Sequence, residues 1–447
     1  MEYRFSNIDL KNLIIPLVIE QFLQISIGLI DSVMIASIGD AAVSGVSLVD
    51  CVFVLFIDAF AALAAGGAVV AGQYIGMKDT EKGCKAAWQM IISVTAMAVI
   101  IMTVIYIFKD FLLYGVFGEI ADDVRANSRT FLLIVSASIP FIALYNAGSS
   151  IFRVMGNTKL PMKMALFMNI VNFAGNAIFL YGFKMGVAGI AIPTLISRAG
   201  AAIIIIGMLR NQNLLLHLPE KLHFKLDMKM QKRILRIGLP NGLESALFEF
   251  GKLLVLSLVA TLGTASIAAN AVGNYVGTFA IMAGFAVGNA TITVISQCVG
   301  AREYDQVRYY KKKMMRICYA LIIASNVIII SLLPLILRIY GLSDEASHLA
   351  FTILVYHGIV ACFIWGPSFL LPYVLRAAND VAPAMIIAMV SVWVFRVVVA
   401  YILVKIVGLG LLGVWIAMTT DWAFRSICFT IRYRQEKWLV KSERIHT

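Results

Sequence analysis

Apolar stretches of about 20 residues, enough to cross the roughly 30 Å hydrocarbon core of a bilayer, recur about twelve times along this chain. They centre near 13–37, 46–75, 86–108, 130–152, 161–182, 187–209, 237–261, 269–298, 315–337, 350–372, 383–405 and 409–430. A backbone in lipid must satisfy its own hydrogen bonds, which open strands cannot do, so every stretch is expected to be helical. With 61% of its 447 residues hydrophobic and only 14% charged, the chain holds more apolar surface than a soluble core uses. The expected fold class is an all-α integral membrane protein with twelve transmembrane helices. The first stretch carries Glu20 and Asp31 and has no clear small-residue cleavage site, so it is expected to remain as the first helix.

The chain reads as a duplication. Pro16, Glu20, Gly39, Gln73 and Gly76 return 224 positions later as Pro240, Glu244, Gly263, Gln297 and Gly300. A recurring Glu and Gln against a background of Leu, Ile, Val and Ala are hard to place by chance. Farther on, Arg153-Val-Met-Gly-Asn157 corresponds to Arg376-Ala-Ala-Asn-Asp380, and Gly186-Val-Ala-Gly189 to Gly410-Leu-Leu-Gly413. Six spans per copy is an even number, so the copies are parallel, and substrate is expected between two six-helix bundles. The bundles are expected at 1–210 and 237–447. Residues 211–236 form a polar cytoplasmic linker with His217, His223 and a short amphipathic helix.

Basic residues in short loops stay on the cytoplasmic side. With the N-terminus inside, only Lys109, Arg125, Arg129, Lys184, Arg338 and Lys405 fall outside, and Arg198, Lys252 and Arg396 fall within spans. The formal net charge of +12 is thus a topological bias, which disfavours a nucleic-acid partner and leaves membrane lipids as the anionic neighbour. Both termini are expected in the cytoplasm of a multi-pass cell-membrane protein acting as a monomer. The six cysteines form no CxxC pair and read as small core hydrophobes.

An ionisable group inside the bilayer is costly unless it faces protein or water, so such residues are candidates for function. Glu20, Gln24, Gly28 and Asp31 share one stripe of the first span, with Asp31 about 16 Å nearer the outer face than Glu20. Asn169, Asn172 and Asn176 share a face of the fifth span, and Thr194 adds a hydroxyl from the sixth. Amide and hydroxyl oxygens around one carboxylate suit Na⁺ or a protonatable acid; the plainer alternative is interhelical hydrogen bonding. Glu20 has a twin in Glu244 and fits a symmetric structural role, whereas Asp31 corresponds to Val255 and suits a task that one lobe performs. Glu249 lies three residues from Lys252, within ion-pair reach. Asp50, Asp58 and Asp421 are weaker candidates, Asp421 having Arg425 four residues on. Arg198 and Arg396 are expected to pair with carbonyls or acids inside the bundles, and His357 to be a hydrogen-bonded interior histidine.

Enzyme signatures are lacking. Gly408-Leu-Gly-Leu-Leu-Gly413 matches GxGxxG as a string but joins two apolar spans outside any βαβ pattern, and no HExxH, GxSxG or Walker A run occurs. Uphill transport by this chain would draw on an ion gradient, with no cofactor.

Two parallel halves, Pro16 through Asp31 followed by Gly39, Gln73-Tyr-Ile-Gly76, Arg153-Val-Met-Gly156, and Glu244 with Phe248-Glu249 resemble the MATE (multidrug and toxic compound extrusion) transporters over almost the whole chain. The resemblance implies a cation-coupled exporter with a V-shaped pair of lobes. It matches Asp31 to the first-helix Asp of the family, Asn172 and Thr194 to further members of its N-lobe cation site, and Glu249 to an acid of its seventh helix. Position 176 is Asn where part of the family has a second Asp, and Trp365 stands near where some relatives have another. The expected function is Na⁺- or H⁺-coupled antiport of drug-like cationic amphiphiles by alternating access. Asp31, Asn172, Asn176 and Thr194 would take the cation, with Glu249 as a secondary site and Glu20, Glu244 and Asp58 as cavity or structural acids. The alternative is a lipid-linked oligosaccharide flippase of the same superfamily.

Overall fold

The computed structural model describes residues 3–118, 120–220 and 226–443. The expected spans are met first by α1 (Asn7–Ala36), α2 (Asp40–Gly76), α3 (Thr80–Ile107), α4 (a bent pair, Asp122–Ser136 and Ile139–Val154), α5 (Lys159–Gly182) and α6 (Ala188–Leu209). The second set is α7 (Met228–Ala260), α8 (Thr264–Gly300), α9 (Tyr304–Tyr340), α10 (Asp344–Ala377), α11 (Val381–Ile406) and α12 (Gly410–Arg434). Among the described residues nine helices are long and apolar enough to cross a membrane, or ten when the bent α4 is one span. The two that fall short, α7 and α12, carry Glu244, Glu249 and Lys252 and Asp421 and Arg425, so their hydropathy is lowered by ionisable side chains. The protein is an all-helical integral membrane protein. The 46° bend of α4 falls between its two arms, and Pro140 is the second residue of the second arm. A proline there lacks the N–H that would continue the ladder and pushes its ring at the preceding turn.

The duplication is visible in the backbone. α2 and α8 each run 37 residues. Each is preceded by a glycine at positive φ, Gly39 at +129° and Gly263 at +96°, where a Cβ would be strained. Each is followed by a left-handed basic residue, Lys78 and Arg302, both at φ 60°. α5 ends on a π-helical turn, Ala177–Gly182, and α11 on its repeat-related partner, Ile402–Ile406.

The chain divides into two compact units, Lys11–Gly242 and Leu243–Thr447 with Met1–Leu10. In the first, α2 packs on α3 and on both arms of α4, while α6 packs on α5 and on the second arm of α4. In the second, α8 packs on α9 and α10, and α12 on α10 and α11. The opening turns of α7 belong to the first unit, where Arg233 donates to Gln73 Oε1 at 3.0 Å and to the Tyr74 hydroxyl at 2.8 Å. In the second unit Arg4 Nε donates to Gln297 Oε1 at 3.4 Å and pairs with Glu303 at 3.7 Å. Each repeat glutamine therefore receives an arginine from the start of the other repeat, Arg233 from the opening turns of α7 and Arg4 from just before α1.

The short amphipathic helix expected in the linker is not found at 211–220, which is irregular chain tied down by the buried Leu216 and Leu218. Residues 221–225, with His223, lie outside the described residues. Helix resumes at Met228 as the start of α7, where Asp227 Oδ1 accepts from the backbone N–H of Lys229 and Met230 at 2.9 and 3.0 Å. Its carboxyl is held below the usual carboxylate range, first by the hydrogen bond from Lys85 and then by these amides. None of the six cysteines, all among the described residues, is in a disulfide.

One close approach is made by backbone alone. A Cβ on Gly66 of α2 would come within 2.6 Å of the Gly238 nitrogen and 2.8 Å of its Cα on α7. No rotamer change relieves a backbone clash, so Gly66→Leu is expected to cost about 1–3 kcal/mol. Gly28→Ala, with nothing within 4 Å of the added carbon, is the control and should leave the melting temperature in detergent unchanged or slightly raised. Equal melting of both variants would show that this helix crossing tolerates expansion.

Candidate functional site

Helix α1 is joined to the rest of the first unit by polar side chains at successive levels. Near one end Glu20, fully buried, is ion-paired with Arg153 at the end of α4. Next, Asn169 Nδ2 donates to the Leu23 carbonyl at 3.2 Å. At the other end Ser37 Oγ and the Tyr181 hydroxyl stand 3.3 Å apart. The outermost links are duplicated in the second unit. Glu244 pairs with Arg376 at 2.6 Å, and Lys405 donates to Thr261 Oγ1 at 2.8 Å, with Thr261 and Lys405 lying 224 positions after Ser37 and Tyr181.

Between those links the first unit has a set that its repeat lacks. Asn176 Nδ2 donates to Asp31 Oδ1 at 2.7 Å and lies 3.0 Å from Asn172 Oδ1; Asn172 Nδ2 donates to Thr194 Oγ1 at 3.1 Å; Thr194 Oγ1 donates to the Ile190 carbonyl at 2.9 Å. The four residues named from sequence thus form one continuous chain across α1, α5 and α6. Asn176 is the last residue before the π-helical turn of α5, and such turns often mark functional sites because they re-aim the neighbouring side chains. Asn176 is fully buried, and its Oδ1 has no hydrogen-bond partner. A buried acceptor left open beside a carboxylate has the chemistry of a ligand for a small hard cation.

Other candidates are placed apart from this chain. Asn169 bonds to backbone on α1 and on its own helix, not to Asp31. Asp58 is half-buried on α2. Glu249 is ion-paired with Lys252, both carboxylate oxygens lying 2.9 Å from Nζ. His357 is 2% exposed and edge-on to Trp415 and Trp422, and its Nδ1 has no hydrogen-bond partner. Two neighbours of Asp31 received little weight in the sequence reading: Asp50 and Arg198 lie within electrostatic reach of its carboxylate, and Arg198 donates to Ser138 Oγ at 2.8 Å. Comparing the repeats gives a signal for both, because their equivalents 224 positions on are the uncharged Asn274 and Trp422.

A model of the MatE family matches the chain twice, over residues 16–178 and 240–402. The chain is 26% identical to "Uncharacterized transporter YisQ" of Bacillus subtilis over 434 residues, covering 95% of this chain and 94% of that one. It is 25% identical to "Probable multidrug resistance protein NorM" of Thermotoga maritima, covering 96% and 92%. Among solved structures, one described as "Outward-facing conformation of a multidrug resistance MATE family transporter of the MOP superfamily" is similar with a TM-score of 0.90 at 20% identity, over 97% of this chain and 96% of that one; that likeness is one of fold. Matched in both halves, and built of the duplicated helices described above, the chain belongs to the MatE family, whose members are transporters and not enzymes.

Proposed function

We propose that the protein is a cation-coupled antiporter that exports amphiphilic organic compounds by alternating access, with Asp31, Asn172, Asn176 and Thr194 as the coupling site. The observation that carries this reading is the buried Asp31–Asn176–Asn172–Thr194 chain with its open acceptor at Asn176 Oδ1. Na⁺ would find hard oxygen ligands in the carboxylate and the amides. A proton would instead neutralise Asp31 directly. Either event weakens the charge-assisted bond from Asn176 that holds the middle of α1 to α5, while the links at Glu20 and Ser37 persist. Cation entry therefore biases the packing of one helix, which is what coupling to a second ligand requires. The printed names of relatives, "Probable multidrug resistance protein" among them, support drug-like small molecules as cargo.

The lobes of this transporter are taken as 1–210 and 237–447 joined by 211–236, in the cell membrane with both termini cytoplasmic, working as a monomer. Attraction of cationic cargo would fall to Asp31 and Asp50, two acids that share one nearby cation, Arg198, because Glu20, Glu244 and Glu249 each have a basic partner of their own.

The test is efflux of a cationic dye from proteoliposomes with an imposed Na⁺ or H⁺ gradient. Asp31→Asn is expected to reduce gradient-driven efflux by at least about tenfold, and the gradient that drives the parent identifies the ion. Unchanged efflux in the variant would sink the role given to Asp31. A parent that moves lipid-linked oligosaccharide and no dye would replace export with flipping.

A further inference from the structure

The second unit contains a cavity of 490 Å³, a volume in the range of small-molecule sites. Its wall is the repeat counterpart of the Asp31 site. Positions 224 after Asp31, Asp50, Asn172 and Thr194 are Val255, Asn274, Arg396 and Met418, and all four line the cavity. Two carboxylates have been lost at equivalent places, while the guanidinium of Arg198 is replaced by Trp422 and another is gained at Arg396.

Charge follows the same direction. Asp421, fully buried, is shared by two arginines: Arg396 Nη2 stands 2.9 Å from Oδ2 and Arg425 Nε 2.9 Å from Oδ1. Elsewhere on the wall Glu249 and Lys252 cancel each other. The ionised groups therefore leave one positive charge over, with Arg396 at the cavity surface. Two of the unpartnered polar atoms at this wall are donors, and the third, His357 Nδ1, donates or accepts according to its tautomer. Arg396 Nε and Trp422 Nε1 are buried donors without partners, and Arg396 is 6% and Trp422 2% exposed. The Phe248 ring lies 4.8 Å from the Arg396 guanidinium and attracts its charge, but offers the N–H no lone pair. The Asn270 side-chain oxygen is already taken by Trp415 Nε1 at 3.1 Å. Surplus positive charge and surplus donors call for a ligand with a negative charge and acceptor oxygens. The remaining wall, including Phe248, Phe285, Phe369 and Trp415, calls for flat rings.

We propose that this cavity binds an aromatic organic monoanion, with its carboxylate toward Arg396 and Trp422 and its rings among Phe248, Phe285 and Trp415. The two repeats then hold diverged copies of one site, acidic in the first unit and basic in the second. As an account of cargo, the assignment rests on the export reading above; as a binding site it stands alone.

The experiment measures equilibrium binding of radiolabelled 2-naphthoate to the full-length protein in detergent, in competition with 2-naphthylmethylammonium, which has the same rings and the opposite charge. The anion should bind at least about tenfold tighter than the cation, the effect of one unit charge at short range in a medium of intermediate dielectric. Arg396→Gln should abolish that preference. Should Arg396→Gln fail to fold, Lys252→Gln and Glu249→Gln alter partly exposed side chains: the first should weaken naphthoate binding and the second strengthen it. Equal affinity for the two probes, or a ratio unmoved by both of these variants, overturns the proposal. Dye efflux run on the same preparations separates the two readings. Naphthoate binding without gradient-driven export supports the cavity and removes the export reading, while export with no preference for the anion removes the cavity assignment alone.

Discussion

Asp421→Ala is expected to lower stability by about 3–5 kcal/mol, the cost of leaving a buried charge uncompensated. The carboxylate is fully buried in α12, one oxygen 2.9 Å from Arg396 of α11 and the other 2.9 Å from Arg425 one turn along. Removing it strands two guanidinium groups that repel each other in a poorly solvated place. Both lie close to the face of Phe248, at 4.8 and 5.5 Å from its centroid, so α7 loses a well-placed neighbour when they separate. Of its hydrogen bonds, Arg425 retains those to Ser391 Oγ and the Ala388 carbonyl. Thermal unfolding in detergent, followed by size-exclusion fluorescence, should show a much lower midpoint. The double variant Asp421→Leu with Arg425→Met should recover at least half of the loss, because it removes one stranded charge and fills the space. A midpoint within the error of the parent would mean that water reaches this triad.

Arg153→Leu is expected to have a cost of the same order, about 3–5 kcal/mol, because it leaves Glu20 without its cation. Glu20 Oε1 would keep only a 3.4 Å contact to Gln24, and Oε2 has no partner even in the parent. The duplication provides an internal comparison. Glu244 and Arg376 make the equivalent pair with side chains 12% and 14% exposed, against 0% for Glu20. Water can partly solvate a stranded Glu244, so Arg376→Leu should cost less than Arg153→Leu. Equal losses would show that burial does not set the price of breaking this link.

Much of this was legible in the chain because lipid simplifies the code. Apolar length alone gave the helices, and recurring Pro, Gly, Glu and Gln gave the duplication. Asp31, Asn172, Asn176 and Thr194 stood out because their residue types are rare in spans, and Asn172 and Asn176 because their spacing puts them on one helical face. Pairings across the sequence were not readable. Glu20 and Glu244 were recognised as twins, and Arg153 and Arg376 likewise, yet nothing local says that the acid of α1 meets an arginine 133 positions away. The π-helical turn that follows Asn176 was hidden for the same reason, since its sequence is as apolar as the helix before it. That residues 211–220 are irregular and helix resumes at Met228 was not readable, because a polar run fits a surface helix and an irregular connector equally well.

The arginine carried by the first ten residues sets an order in time. Arg4 and Phe5 bond to Gln297, Gln306 and Tyr310, with Phe5 N–H donating to the Tyr310 hydroxyl at 2.7 Å and that hydroxyl donating back to the Phe5 carbonyl at 2.8 Å. At ribosomal speeds of about 5–20 residues per second, those partners are made on the order of half a minute after the segment that needs them. Arg4 and Phe5 therefore cannot make these bonds until the last third of the chain is inserted. A nascent chain halted before α8 lacks the groups on which Arg4 and Phe5 dock, so this lock between distant parts of the sequence closes only late in synthesis.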